Sequence, residues 1–327
     1  MENDTLPNQL FKPHTEVTGQ FYKDVITGLN SDPKFLEAKY FYDAAGDKLF
    51  QEIMDCPEYY PTGSELEIFS TQTADLAKML IGVGDEFDLI ELGAGDATKS
   101  IYLLKELMNQ GADFDYLPID ISENIIDYLS LTLPVSLPGI QIKALNGDCF
   151  EMLEKVSTDD NKRKVVLFLG ANIGNMSMEL ARTFCRELRD YLLPGDLTLI
   201  GIDLKKSPKI VLADYNDAGG ITKRFNLNLL NRINRELYAD FDIGKFDHYP
   251  TYDPETGACK SYLTSLVDHG VRIGEEYIQE RRIYTHGNLS KIFHKRYRKH
   301  CVPIRLPNLH NFTDQKNWFI DSIWVAV

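Results

Sequence analysis

Between residues 88 and 202, short apolar runs alternate with helix-length amphipathic stretches, and this alternation restricts the fold more than any other feature of the chain. The runs are Asp88–Leu92, Asp115–Ile121, Ile140–Leu145, Lys164–Leu169 and Leu197–Ile202. Helices are predicted near Ala97–Met108, Ser122–Leu131 and Ser177–Leu192. Apolar runs without polar alternation, separated by helices, describe parallel strands buried on both faces. After Asp203 the pattern gives way to a helix (Ala218–Glu236) and short strands (Ala258–Val267, Arg272–Ile283). The tail returns to strands at Asn311–Thr313 and Trp318–Val327. Together they read as an antiparallel hairpin that ends an otherwise parallel sheet. Upstream, a loose arm and short helix fill the first 30 residues, and a helix over Asp47–Met54 is stopped by Pro57. A further helix is expected from Ser64 to Leu80, with Ser64 and Glu67 as a capping box.

Charge limits the partners. Lys+Arg 35 against Asp+Glu 49 gives a formal charge of −14, which disfavours a phosphate-backbone ligand. The basic stretch Lys291–His300 is the exception and reads as a solvated helix face. No apolar run reaches the roughly 18 residues of a membrane span. The N-terminus is polar and acidic, unlike a signal peptide. Cys56, Cys149, Cys185, Cys259 and Cys301 are scattered and odd in number, so a reducing cytoplasm is the expected compartment. Histidines with metal-ligand spacing, a G-x-S-x-G and a P-loop are absent, and no metal is expected.

In an open parallel sheet, ligands bind beyond the carboxyl ends of the strands, where the strand order reverses. The first strand ends in Glu91-Leu92-Gly93-Ala94-Gly95-Asp96, and the second ends in Asp120, 25 residues beyond Gly95. The glycines read as a tight turn or as a close backbone approach to a ligand. A carboxylate at Asp120 can accept both ribose hydroxyls. The third strand ends in Asn146-Gly147-Asp148, where an acid can accept from an adenine amino group. A nicotinamide fingerprint would also place an acid there, but it wants a third glycine where this chain has Thr98. Acids at successive strand ends and the Leu193-Pro194-Gly195-Asp196 turn favour an adenosyl ligand such as S-adenosylmethionine. A nicotinamide-dependent oxidoreductase and a non-catalytic adenosyl-binding module stay as alternatives.

The fourth strand ends in Gly170-Ala171-Asn172-Ile173-Gly174-Asn175. Its asparagines suit either turn chemistry or the holding of a zwitterion. Tyr40, Phe41, Tyr42, Tyr59 and Tyr60 cluster around the first helix, as core or as a pocket wall, and Asp214–Gly220 reads as a helix-entry turn or a ligand loop.

Taken together, KYFYDAAGDKLFQEIMDCPEYYPTGSE, ELGAGDATK, FLGANIGN and DYNDAGGITKRFNLNLLNRINREL resemble the ergothioneine-pathway histidine N-alpha-methyltransferases. Fungal dimethylallyltryptophan N-methyltransferases belong to the same group, and the likeness covers about residues 20–327. It implies an α/β, Rossmann-like class I methyltransferase sheet with a terminal antiparallel hairpin, and a second α+β substrate domain. Residues 1–64 and an insertion over 205–286 would form that domain, with 65–204 the cofactor core and 287–327 the strands completing its sheet. The resemblance puts S-adenosylmethionine, released as S-adenosylhomocysteine, on Gly93, Lys99, Asp120, Asp148 and Cys149, with Gly95 in the same loop. It puts an amino-acid substrate on Tyr42, Tyr59, Gly170, Asn175 and Tyr215, with Tyr42 and Asn175 nearest the chemistry. Two positions depart from the family. Its E-x-S triplet falls on Asn288-Leu289-Ser290, and a pocket methionine falls on Ser261. The lost carboxylate and a wider, wetter pocket lead us to expect a different or broader side-chain preference than strict histidine. The implied partner is a small molecule, with no nucleic acid and no membrane; a monomer is compatible.

Overall fold

The computed structural model describes residues 16–82, 86–159, 162–280, 284–290 and 306–327. The expected N-terminal arm, the basic stretch Lys291–His300 and Cys301 lie outside the described residues. The described chain forms two compact units. One draws on the segments up to Cys56, Tyr215–Thr251 and Lys260–Gly287, and the other on Pro57–Asp214, Tyr252–Cys259 and Asn288–Val327.

The second unit is built on one large sheet, whose strands we number β1 (Phe87–Leu92), β2 (Phe114–Asp120), β3 (Gln141–Ile142), β4 (Arg163–Phe168), β5 (Leu197–Asp203), β6 (Asn308–Thr313) and β7 (Phe319–Val325). Their order across the sheet is β6-β7-β5-β4-β1-β2-β3. The first five strands pair parallel with their neighbours. β7 pairs antiparallel with both β5 and β6, so the tail inserts as the expected hairpin. This is the class I methyltransferase arrangement. The order reverses between β1 and β4, which makes their carboxyl ends the place for a ligand.

Both faces of the sheet are covered, which is why its strands read as unbroken apolar runs. On one face Leu89, Tyr116, Val165 and Leu199 pack with Ile68, Phe69, Leu76, Leu103 and Leu107 from helices. On the other, Ile90, Ile119, Val166 and Ile200 meet Leu153 and the Ala181, Phe184, Cys185 and Leu188 stripe of helix Met178–Asp190. Ser177 caps that helix by accepting from Leu180 N at 3.2 Å.

Three local expectations need correction. The helix expected from Ser64 begins at Tyr60, with Pro61 in the first turn where a missing N–H costs nothing. Ser64 is buried mid-helix, and Glu67 instead accepts from Gln315 N at 2.8 Å, so no capping box forms. The stretch also divides at Gln72 into Tyr60–Thr71 and Thr73–Ile81. The third strand divides into β3 and Leu145–Asn146, which pair separately with β2. As the sheet edge it needs neighbours on one side only, and Gln141 and Lys143 face solvent. Helices Cys149–Asp159 and Pro208–Asp214 and strand Phe246–Tyr252 were not anticipated.

In the first unit, helix Ile221–Leu237 buries Phe225, Leu229, Ile233 and Leu237 at four-residue spacing. Asp217 starts it by accepting from Ile221 N and Thr222 N, both at 2.7 Å. Asp43 caps helix Ala44–Met54 through Gly46 N at 2.7 Å and is also held by Asn228 Nδ2 at 2.9 Å, so one carboxylate ties the two helices. A sheet ordered Phe35–Leu36, Tyr284–Ser290, Ala258–Ser265, Phe246–Tyr252 and a separate hairpin, His269–Ile273 with Glu276–Glu280, complete the α+β arrangement.

Candidate active site

Beyond β1 the chain turns sharply over the end of β2. Gly93 N and Ala94 N both donate to Ile119 O, at 2.8 and 3.2 Å. The turn needs φ of +70° at Gly93 and +54° at Gly95, which favours glycine at both positions. Asp120 then fastens it: Oδ2 accepts from Gly95 N at 3.1 Å and Oδ1 from Ser122 N at 2.9 Å. Each oxygen keeps a second lone pair, so Asp120 is braced by the backbone and still able to accept hydroxyls.

Asp148 and Cys149 come to the same place. Burial, then the charges of Asp148 and Asp120, push the Cys149 thiol up to about 12, while the Gly93 backbone faces its sulfur. Cys149 is therefore a protonated thiol at neutral pH. Asp148 is exposed and has a second role. Its Oδ1 accepts from Phe150 N at 2.9 Å and Glu151 N at 3.3 Å, capping the helix that follows.

Beyond β4, Gly170 takes φ +72°, and Asn172–Asn175 form a short 3-10 turn. A Cβ at Gly170 would lie 3.5 Å from Asn172 Nδ2 and 3.6 Å from Lys99 Nζ, and one at Gly93 would lie 3.7 Å from the same Asn172 nitrogen. The loops after β1 and β4 therefore converge, with Asn172 spanning them. Asn175 is exposed at the end of its turn, and Tyr59 is half-buried at the start of helix Tyr60–Thr71.

The sequence reading missed the group beneath these loops. Glu65, wholly buried, pairs with Lys99 and accepts from Gly170 N at 2.8 and 3.0 Å. Asp321 of β7 and Glu91 of β1 are buried beside it. Burial pushes Glu91 up to about 7, although Tyr116 Oη donates to it at 2.6 Å. An acid inside the apolar FIDSIWV run was the one available sign.

Tyr42, Tyr215 and Ser261 fall in the first unit. Tyr42 is exposed, and its ring meets Phe50 and Phe225 edge-on at 5.5 and 5.9 Å. Tyr215 is half-buried two residues before Asp217. Ser261 is buried, and its hydroxyl lies 3.0 Å from His248 Nε2. Burial drives His248 down to about 4, against the pull of Asp247 and Asp217, so the ring is neutral at pH 7. Its Nδ1 has no partner among the described residues. Asn288 and Ser290 lie on strand Tyr284–Ser290, where only the backbone is described. No group of three or more metal-binding side chains occurs among the described residues, and no helix there is long and apolar enough to cross a membrane.

These residues fit an adenosyl cofactor. Glycine turns give a close-approach cradle, Asp120 is braced with lone pairs to spare, and Asp148, Cys149 and Lys99 border the same strand ends. Comparison with known proteins agrees. The profile of the family described as histidine-specific methyltransferase, SAM-dependent, matches residues 21–326. The histidine N-alpha-methyltransferase of Mycolicibacterium smegmatis is 36% identical over 251 residues, covering 77% of this chain and 76% of that protein. The enzyme of the same name from Mycobacterium tuberculosis is 34% identical over 252 residues, 77% of each chain. Ergothioneine biosynthesis protein 1 of Schizosaccharomyces pombe is 28% identical over 251 residues, 75% of this chain but 32% of that longer protein. The nicotinamide alternative gives way to this match, and the chain belongs to the SAM-dependent histidine-specific methyltransferase family.

Proposed function

We propose that this protein methylates the alpha-amino group of a free amino acid, histidine first, using S-adenosylmethionine and repeating the transfer up to the trimethylated betaine. The observation that carries the reading is the convergence of Gly93, Asp120, Asp148, Cys149 and Lys99 at the reversal point of the sheet, in a chain of this family. When bound, the cofactor supplies a methyl group already activated on a sulfonium. The protein's task is then to hold and orient.

Asp120 takes the ribose hydroxyls, the Gly93–Gly95 turn lets the backbone close on the ligand, and Asp148 keeps an oxygen for the adenine amine. Lys99 offers N–H donors to a carboxylate. The family resemblance assigns the substrate carboxylate to Asn175 and Tyr215, the substrate's border to Tyr59 and Gly170, and the amine to Tyr42, whose ring face suits an accumulating positive charge. Between rounds the amine gives its proton to water, so no strong base is required.

A broader side-chain preference is favoured by one observation. Ser261 and His248 form a buried polar pair where the family resemblance implies a methionine. A polar side chain suits that pair better than a purely apolar one. The setting we propose is a cytoplasmic enzyme acting on a small molecule.

Calorimetric titration tests the cofactor arm. S-adenosylhomocysteine should bind and NAD should not; binding of NAD alone would overturn the reading. Initial rates across the twenty amino acids test the substrate arm. Transfer to none of them would refute it.

A further inference from the structure

Glu65 stands at the centre of a buried charge cluster that the methyl-transfer chemistry does not itself require. It enters from helix Tyr60–Thr71 and has no exposed surface. Its carboxylate joins two strand-end loops: it pairs with Lys99, which follows β1, and accepts from Gly170 N, which follows β4, at 2.8 and 3.0 Å.

Asp321 lies behind it, in register with Gly201 of β5. Both its oxygens are buried, and neither receives a donor among the described residues. A Cβ at Gly201 would lie 3.3 Å from Asp321 Oδ1 and closer than 3.0 Å to Glu65 Oε1, so the two carboxyls crowd one glycine-sized space. Burial and the neighbouring Glu65 raise the Asp321 carboxyl far above its ordinary range. Its neutral form is therefore favoured beside the Glu65 carboxylate. Burial works against the charge on Lys99, but the Glu65 carboxylate outweighs it and holds the ammonium above its ordinary range.

A lysine on a four-carbon stem loses much freedom when it binds a ligand. Here that ordering is already done, because Glu65 holds the ammonium while two of its three donors stay available.

We propose that Glu65 is a positioning residue for cofactor binding: it fixes the Lys99 ammonium and anchors Gly170 to the same carboxylate, so that one side chain sets the loops after β1 and β4 together. The proposal rests on the assignment of Lys99 to the cofactor.

The test is a double-mutant cycle read by calorimetric titration with S-adenosylhomocysteine, with thermal unfolding of every variant. Wild type, Glu65→Gln, Lys99→Met and the double variant are compared. Glu65→Gln keeps the shape and the acceptor for Gly170 but removes the charge that holds Lys99. Each single variant should weaken S-adenosylhomocysteine at least tenfold. The double variant should bind within threefold of Lys99→Met, since Glu65 then has no ammonium to place. It carries no unpaired charge, so this comparison stands even where Glu65→Gln alone unfolds.

A general structural role would lower affinity again in the Lys99→Met background. A double variant tenfold weaker than Lys99→Met therefore overturns the proposal, as does a folded Glu65→Gln that binds like wild type. If wild type itself fails to bind S-adenosylhomocysteine, the cofactor reading falls and takes the proposal with it. If wild type binds and Lys99→Met binds equally well, the proposal alone falls.

Discussion

Gly201→Ala adds one methyl group at a crowded point inside the second unit. The new carbon would come closer than 3.0 Å to Glu65 Oε1 and within 3.3 Å of Asp321 Oδ1 and Gly170 N. Glu65 is the end of a flexible side chain, but it has no retreat. Its carboxylate is held by Lys99 and Gly170 N, Asp321 closes the far side, and no surface is exposed. Overpacking of this kind costs about 1–3 kcal/mol. Displacing the carboxylate also breaks hydrogen bonds to a charged group, worth roughly 1.5–3 kcal/mol. The variant should therefore lose on the order of 3–5 kcal/mol of stability in that unit. Urea unfolding followed by tryptophan fluorescence isolates it, because both tryptophans, Trp318 and Trp324, lie there. Gly63→Ala is the control. It sits on the same helix as Glu65 with nothing within 4 Å of its added carbon, so it should be neutral or slightly stabilising. A loss of under about 0.5 kcal/mol for Gly201→Ala, the range of an ordinary surface change, would mean that the Glu65 carboxylate is not seated there.

Asp120→Ala should weaken S-adenosylhomocysteine by on the order of 1.5–3 kcal/mol through lost charge-assisted bonds; unchanged affinity in titration would remove Asp120 from the cofactor site. Asn175→Ala should abolish transfer with cofactor affinity intact, and equal losses in both would make it a turn residue only. His248 has a folded pKa of about 4 against an ordinary 6.5, so the unfolded chain binds the proton more readily as pH falls from about 6.5 toward 4. Stability should drop over that window by up to about 3 kcal/mol, and His248→Phe should flatten the difference when unfolding is measured at pH 7 and pH 4.5. Asn288→Glu should shift kcat/KM toward histidine over other amino acids, and no shift would place position 288 away from the substrate side chain.

The parallel strands were readable because burial on both faces leaves unbroken apolar runs, as in Asp88–Leu92 and Leu197–Ile202. β3 was read too long because an edge strand obeys no such pattern. Helix Cys149–Asp159 escaped notice because its first turn starts at the acid taken for a ligand residue, and Asp148 does cap it. The glycine turns and Asp120 were legible since the backbone geometry itself demands them. Glu65 and Asp321 were not, because their meaning depends on partners more than a hundred residues away: Gly170 lies 105 residues from Glu65, and nothing local announces the contact. Ser261 illustrates the converse. Its position in the chain was noted, but its hydroxyl is committed to His248, which only the folded strands bring within reach.

The most direct test of methyl transfer is to incubate the protein with S-adenosylmethionine carrying a deuterated methyl group and with histidine, then locate the label by tandem mass spectrometry. Successive additions of one, two and three labelled methyl groups are expected, all on the alpha nitrogen, with S-adenosylhomocysteine formed in step. Label on a ring nitrogen or on the carboxylate, or no label on histidine or on any other free amino acid, would contradict the proposed reaction.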